Sequence, residues 1–255
     1  ISGGPGHGKT STIDCVLDIW SKYTNKAPVI SAPTGRAVSI LKKSITNTYG
    51  VDCHIATAMR IICTTKIAKN KNDGKYEDLK KKYSGTLVVL DECSMLGIKT
   101  AYEFLRLFDN CQFVFIGDVN QLSSIEYGQF FKDMCDCGLI VKTELTVNHR
   151  ANGRLIVDNA ETINVGCTNV DFSDRSQFEL IDCQGDYQQM IIDSFMNYVM
   201  KNGAVDPLAL SNVAILCPTN KGTTGAALLN YTIREMINPK RSTAKETENG
   251  YAIER

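Results

Sequence analysis

Residues 3–10 read GGPGHGKT, a complete G-x-x-x-x-G-K-[ST] phosphate loop. Glycines in such a loop reach positive φ, so successive backbone N–H groups can curl around phosphate oxygens. Lys9 adds a mobile cation for the β- and γ-phosphates, and the Thr10 hydroxyl is the expected Mg²⁺ ligand. A helix beginning near Thr10 would aim the positive end of its dipole at the same anions. The nucleotide shell read from this stretch is Gly3, Gly4, Pro5, Gly6, His7, Gly8, Lys9, Thr10 and Ser11, with ATP and Mg²⁺ as cofactors.

A second chemical signal lies at 87–95, LVVLDECSM. An apolar strand delivers two adjacent carboxylates to the C-terminal edge of a sheet, where open α/β folds bind their ligands. Asp91 is the natural Mg²⁺ partner, usually through water. Glu92 is then the candidate to orient and deprotonate an attacking water. An acidic pair after a strand is often a plain surface turn; beside a phosphate loop it points to a hydrolase.

The elements that must position these groups follow an alternating rhythm. Residues 29–32, 86–90 and 113–116 are short apolar runs that end in polar or glycine-bearing loops, as central strands of a parallel sheet do. Ile13, Val16, Leu17 and Trp20 fall on one helical face. The pattern predicts an open, doubly wound α/β domain. After Arg150 it restarts: a helix over 152–165, a strand at 178–181, a helix over 187–200, a strand at 213–217 and another helix. That last helix places Leu229, Ile233, Met236 and Ile237 on one face and stops at Asn238-Pro239. Ile1 reads as the end of a strand, so the natural chain is expected to begin earlier.

Bulk properties narrow the class. The chain has 255 residues, 43% hydrophobic and 22% charged, with net charge zero, which is ordinary for a globular protein and gives no global pull toward nucleic acid. No apolar run reaches the ~20 residues of a membrane helix. The ten cysteines are scattered, mostly in apolar stretches (Cys15, Cys93, Cys111, Cys217), with Cys135 and Cys137 the only close pair. They read as buried free thiols of an intracellular, reducing compartment, cytoplasm or nucleus, rather than as a zinc site. Charge is uneven: 64–85 holds seven lysines against three acids.

Several motifs in order resemble the RecD-like branch of superfamily 1 helicases, a branch shared with relaxase-linked and some viral helicases. SAPTGRAV (31–38) looks like motif Ia and IATAMRII (55–62) like motif Ib. LVVLDECSM is similar to motif II, FIGDVNQLSSI (115–125) to motif III and LTVNHR (145–150) to motif IV. CPTNKGTTGAALLN (217–230) is similar to a stretch of the second motor domain. The resemblance implies an α/β, RecA-like P-loop NTPase with a mostly parallel sheet flanked by helices. A second, incomplete RecA-like domain would follow. The domains would run 1–147 and 148–255, with a hairpin insertion at 64–85.

The resemblance also implies roles. Gln121 would sense the γ-phosphate, and Arg150 would be an arginine finger stabilising charge on the transferring phosphoryl group. Thr34, Arg36 and Thr57 fall where the family contacts the nucleic-acid backbone; helix capping and surface charge are their plain alternative. The catalytic set is thus Lys9, Glu92, Gln121 and Arg150. The implied activity is an ATP-dependent DNA helicase moving 5′ to 3′ on single-stranded DNA. A viral-type RNA helicase, or a nucleotide-binding fragment or regulatory subunit without productive unwinding, are the alternatives. Departures from the pattern are Met59 for a histidine, Ser123 for a proline, Ala151 for a glutamine and His7 for a threonine. Within 64–84, Asn72-Asp73-Gly74 is a tight-turn signal. A projecting pin that parts the duplex and a solvated loop are both open there.

Overall fold

A computed structural model of the chain describes residues 1–49, 53–71, 74–149 and 154–238. It divides into two compact units, Ile1–Gln177 and Phe178–Arg255. The division falls later than the 147/148 boundary read from sequence.

The first unit opens with β1 (Ser2–Gly3), α1 (Lys9–Tyr23), β2 (Val29–Ala32), α2 (Gly35–Tyr49) and β3 (His54–Thr57). Next come α3 (Ala58–Lys71), α4 (Lys75–Tyr83), β4 (Leu87–Leu90), a single 3₁₀ turn (Cys93–Met95), α5 (Ile98–Leu105) and β5 (Gln112–Phe115). The unit closes with α6 (Phe130–Asp136), β6 (Glu144–Leu145) and α7 (Arg154–Asn164). Four strands pair in parallel in the order β3-β2-β4-β5, and β1 pairs in parallel with β6. A parallel bridge between Ser2 and Gly117 joins the two sets. Gly3 N–H donates to the Gly117 carbonyl and Gly117 N–H to that of Ile1, both at 3.2 Å. β5 therefore stands between the phosphate-loop strand and the carboxylate strand.

The alternation of side chains across β4 explains why both sheet faces are covered. Leu87 and Val89 pack with Ile13 and Leu17 of α1 and Val38, Leu41 and Ile45 of α2. Val88 and Leu90 face the other way, onto Ile61 and Ile62 of α3, Tyr83 of α4, Phe104 of α5 and Phe131 of α6. A period of two sends successive residues to opposite faces, so an unbroken apolar run fits a strand buried on both. Val16 and Trp20 join Ile13 and Leu17 against the α1 side of the sheet, as the helical spacing predicts.

The insertion at 64–85 is helical. Buried Ile61, Ile62, Thr65 and Ala68 recur at helical spacing and hold α3 on the core. In α4, Tyr83 is buried, and its hydroxyl lies 3.3 Å from His54 Nε2. Burial along α3 and at Tyr83 thus prevails over the solvated-loop reading; Asn72 and Asp73 lie outside the described residues.

Beyond α7, the Asn159 side chain donates to the Asp171 carbonyl at 2.7 Å and accepts from the Asp171 amide at 2.8 Å. Gln177 Oε1 accepts from Leu155 N–H at 3.3 Å. These bonds keep the segment up to Gln177 with α7.

The second unit holds α8 (Tyr187–Val199), β7 (Met200–Lys201), β8 (Ala204–Val205), α9 (Pro207–Asn212) and α10 (Ala226–Ile237). Ile192, Leu229 and Ile233 form its core. β7 and β8 are an antiparallel hairpin turned at Asn202-Gly203, both at positive φ (52° and 78°), as a two-residue turn of this kind requires. Three sequence expectations need correction. Residues 178–181 and 213–217 form no strand among the described residues. Met236 is 49% exposed while Leu229 and Ile233 are buried, since α10 buries a face narrower than the apolar pattern. Of the cysteines thought buried, only Cys93 is; Cys15 is exposed and Cys111 and Cys217 are intermediate. No helix among the described residues is long and apolar enough to cross a membrane.

Candidate nucleotide site

The phosphate loop bridges β1 and α1. Gly6 and Gly8 adopt φ of 83° and 80°, the left-handed region where a side chain is strained. Gly8 caps α1, whose next turn starts with Thr12 N–H donating to the Gly8 carbonyl at 3.0 Å. The tightest spot is Gly4. A Cβ there would meet the His7 ring at 2.6 Å, so the imidazole fits only over bare backbone. His7 Nδ1 is buried and makes no hydrogen bond among the described residues.

The Lys9 ammonium donates to the carbonyls of Gly3 at 2.8 Å and Gly4 at 3.0 Å. The loop's own backbone thus fixes the cation. Pro5 is exposed at the loop, and Thr10 and Ser11 are exposed at the start of α1, the position from which a hydroxyl and amide N–H groups can meet phosphate and metal.

Asp91 and Glu92 follow directly on β4. The Asp91 amide donates to the Ser31 carbonyl of β2 at 2.9 Å, which continues the ladder past the strand end. Asp91 is 8% exposed. Burial pushes the Asp91 pKa up to about 6, against a stabilising hydrogen bond from the Glu92 amide (2.8 Å) and the pull of the Lys9 charge. Lys9 and Asp91 thus share one electrostatic environment. A divalent cation would restore the charged form of this carboxylate, so the donor set fits Mg²⁺.

Glu92 is a non-glycine residue at φ 53°, ψ 39°. Such a conformation costs ~1 kcal/mol or more and persists where the surroundings over-determine it. Here the Cys93 amide is bonded to the Ile116 carbonyl at 2.8 Å, anchoring the turn to the end of β5. Glu92 Oε2 is buried and makes no hydrogen bond among the described residues, as do Ser31 Oγ and Ser94 Oγ. Unpaired buried acceptors are costly and mark places built for a ligand or a water.

The loop after β5 carries Gln121, which is exposed. Its amide donates to the Asp118 carbonyl at 3.2 Å. Asp118 is a residue the sequence reading passed over. It is 3% exposed, and its carboxylate accepts from the Asn120 amide at 3.0 Å, shaping the turn that presents Gln121. Its signal was an acid directly after a glycine that ends a buried strand. On the loop's other flank, Glu126 accepts from the Thr100 hydroxyl at 2.8 Å, tying the segment to α5.

Arg150 lies outside the described residues, as do Ala151 and Asn152. The chain leading to it is well placed: Leu145 pairs with Gly3, and the His149 amide donates to the Gly6 carbonyl at 2.9 Å. Thr34 and Thr57 are helix caps. The Thr34 hydroxyl accepts from the Ala37 amide and that of Thr57 from the Arg60 amide, both at 3.2 Å. They stand at the same sheet edge as Asp91, after strands whose ends pair Ala32 with Thr57; Arg36 is exposed beside Thr34.

A parallel α/β sheet with a glycine-rich phosphate loop at its carboxyl edge defines the P-loop nucleotide-binding class. Residues 1–126 match the AAA domain family. The RecBCD enzyme subunit RecD of Buchnera aphidicola subsp. Acyrthosiphon pisum is 32% identical, over 53% of this chain and 24% of that protein. RecD of Mycobacterium tuberculosis is 25% identical over 65% of this chain and 32% of its own length. DNA helicase B of Mus musculus is 30% identical over 53% of this chain and 12% of its length. The chain therefore spans a third or less of these relatives. Together the matches support the RecD-like, superfamily 1 assignment carried by the motifs, and with it nucleotide use.

Proposed function

We propose that this chain belongs to an ATP-dependent DNA helicase of RecD-like type that moves 5′ to 3′ on single-stranded DNA. The observation that carries the reading is the shared environment of Lys9 and Asp91, with Glu92 beside them and its Oε2 unbonded among the described residues. In this reading Thr10 and Asp91 would hold Mg²⁺, which would supply positive charge to offset that of the phosphates. Lys9 exchanges its two carbonyl partners for β- and γ-phosphate oxygens. Glu92 accepts the proton of the attacking water, and Arg150 supports the charge of the transferring group.

Gln121 reports the phosphate state to the strand-binding edge, where Arg36 meets the DNA backbone and Thr34 and Thr57 use the hydroxyl hydrogens their capping bonds leave unused. Of the stretch 148–255 read as a second motor domain, the residues after Gln177 form the separate unit that would contribute to it. DNA is favoured over RNA by the relatives, one of which is named a DNA helicase.

The test compares Lys9→Ala and Glu92→Gln in the full-length protein. Lys9→Ala is expected to lose fluorescent ATP-analogue binding; Glu92→Gln is expected to keep binding and lose turnover. Stimulation of the ATPase by single-stranded DNA but not RNA is the expected preference. Equal hydrolysis by Glu92→Gln and the parent would refute the assignment of the base. Stimulation by RNA alone would move the protein to the RNA helicases. The 255-residue chain by itself is expected to bind ATP and to unwind little.

A further inference from the structure

The lysine-rich insertion carries a groove of about 370 Å³ between α3 and α4. Its floor is aliphatic: Ile67, which is 55% exposed, with Ala68 and Leu79. Lys71, Lys75 and Lys82 line it, with Asp78 the one acid among the described lining residues. Lysines inside and outside the groove also make contacts within the chain, Lys75 among them. Lys66 pairs with Glu103 at 2.8 Å and Lys80 with Asp109 at 3.6 Å, while Lys69 and Lys80 both stand 5.8 Å from the centre of the Tyr76 ring.

The platform beneath is fixed. Ile61 and Ile62 anchor α3 in the core, and Tyr83 packs on Phe108 at 5.3 Å between ring centres. A groove held by a packed core needs little ordering when it is filled, which favours binding.

We infer that this groove is a docking site for an acidic, amphipathic helix of a partner protein. Two chemistries must be met together. The aliphatic floor gains from an apolar side chain that leaves water, and the rim gains from carboxylates beside it. A helix with apolar anchors one turn apart and Asp or Glu flanking them supplies both. A nucleic-acid strand supplies only the second: its phosphates stay in water, and its bases stack on aromatic faces, which the floor lacks. The nearby Tyr76 ring is already approached by two lysines.

The test is a random peptide library displayed on phage and selected on the 255-residue protein. Ile67→Ser and the triple variant Lys71→Glu, Lys75→Glu, Lys82→Glu serve as counter-targets. Enriched peptides are expected to be acidic with apolar residues at helical spacing. Binding of a labelled selected peptide is expected to fall about tenfold or more on each counter-target, while ATP-analogue binding stays at the parent level. Peptides that are neutral or basic, or that bind the counter-targets equally, would overturn the inference. So would a labelled oligothymidylate that loses binding on Ile67→Ser, since that would make the groove a nucleic-acid contact.

Discussion

The backbone amide of His149 donates to the carbonyl of Gly6 at 2.9 Å, which ties the segment after β6 to the crown of the phosphate loop. Gly6 is one of the two loop glycines at positive φ, and its carbonyl direction sets how its neighbours' N–H groups point. Replacing His149 by proline removes the donor. Nucleotide affinity is expected to fall about five- to tenfold, in keeping with the ~1 kcal/mol of one hydrogen bond. Titration calorimetry reads it directly, and an unchanged affinity would show that the loop holds its shape alone.

Asp91 makes stability depend on pH. Its pKa is raised from 3.8 to about 6 by burial, so the folded state holds a proton that the unfolded chain has released. A raised carboxyl pKa favours folding below about pH 4, and that advantage is lost as pH rises through the window to about 6. The shift of roughly two units corresponds to about 3 kcal/mol at most. Asp91→Asn keeps the acceptor for the Glu92 amide and removes the charge. Without nucleotide, it is expected to raise Tm at pH 8 and leave it unchanged at pH 4, while weakening Mg²⁺-dependent binding. A Tm gain equal at both pH values would contradict the burial argument.

Gly4 and His7 form a coupled pair. A Cβ at position 4 would lie 2.6 Å from the imidazole, so Gly4→Ala must push the ring aside. It is expected to weaken nucleotide binding and lower Tm by a few degrees. His7→Ala removes the obstacle, and adding it to Gly4→Ala should recover most of the loss. A double-mutant cycle measures this coupling, and strict additivity would mean that the two residues act apart.

Thr34→Ala and Thr57→Ala each delete an N-cap. Each is expected to cost about 1 kcal/mol of stability in denaturant titration. Serine at either position keeps the hydroxyl and should restore stability. Binding to single-stranded DNA is the second readout: a loss in Thr→Ala beyond the stability change supports a strand contact, and an unchanged affinity reduces these threonines to caps.

How much of this was legible beforehand depended on whether a residue's signal was local. The phosphate loop and the strand ahead of Asp91 are contiguous patterns, and 29–32, 86–90 and 113–116 proved to be strands within a residue or so. β3 was missed as a strand because His54–Thr57 is a short edge strand, with polar residues at both ends. The helices of the 64–85 insertion were missed because a turn signal outweighed the helical recurrence of Ile61, Thr65 and Ala68. In the second unit the opposite occurred. Asn202-Gly203 is a strong hairpin signal, but its strands are two residues each and left no alternation to read. The runs at 178–181 and 213–217 had the composition of strands and yet form none among the described residues. Asp118 escaped because its task is to shape a turn, and only the fold reveals which amide it holds.

The place of β5 has a mechanical consequence. With β5 between β1 and β4, the separation of the phosphate loop from the acidic pair equals two inter-strand steps, roughly 10 Å. That gauge is written in backbone hydrogen bonds, so exchanging side chains leaves it unaltered. Only a slip of β5 against its neighbours could reset it, and such a slip would carry the Gln121 loop along.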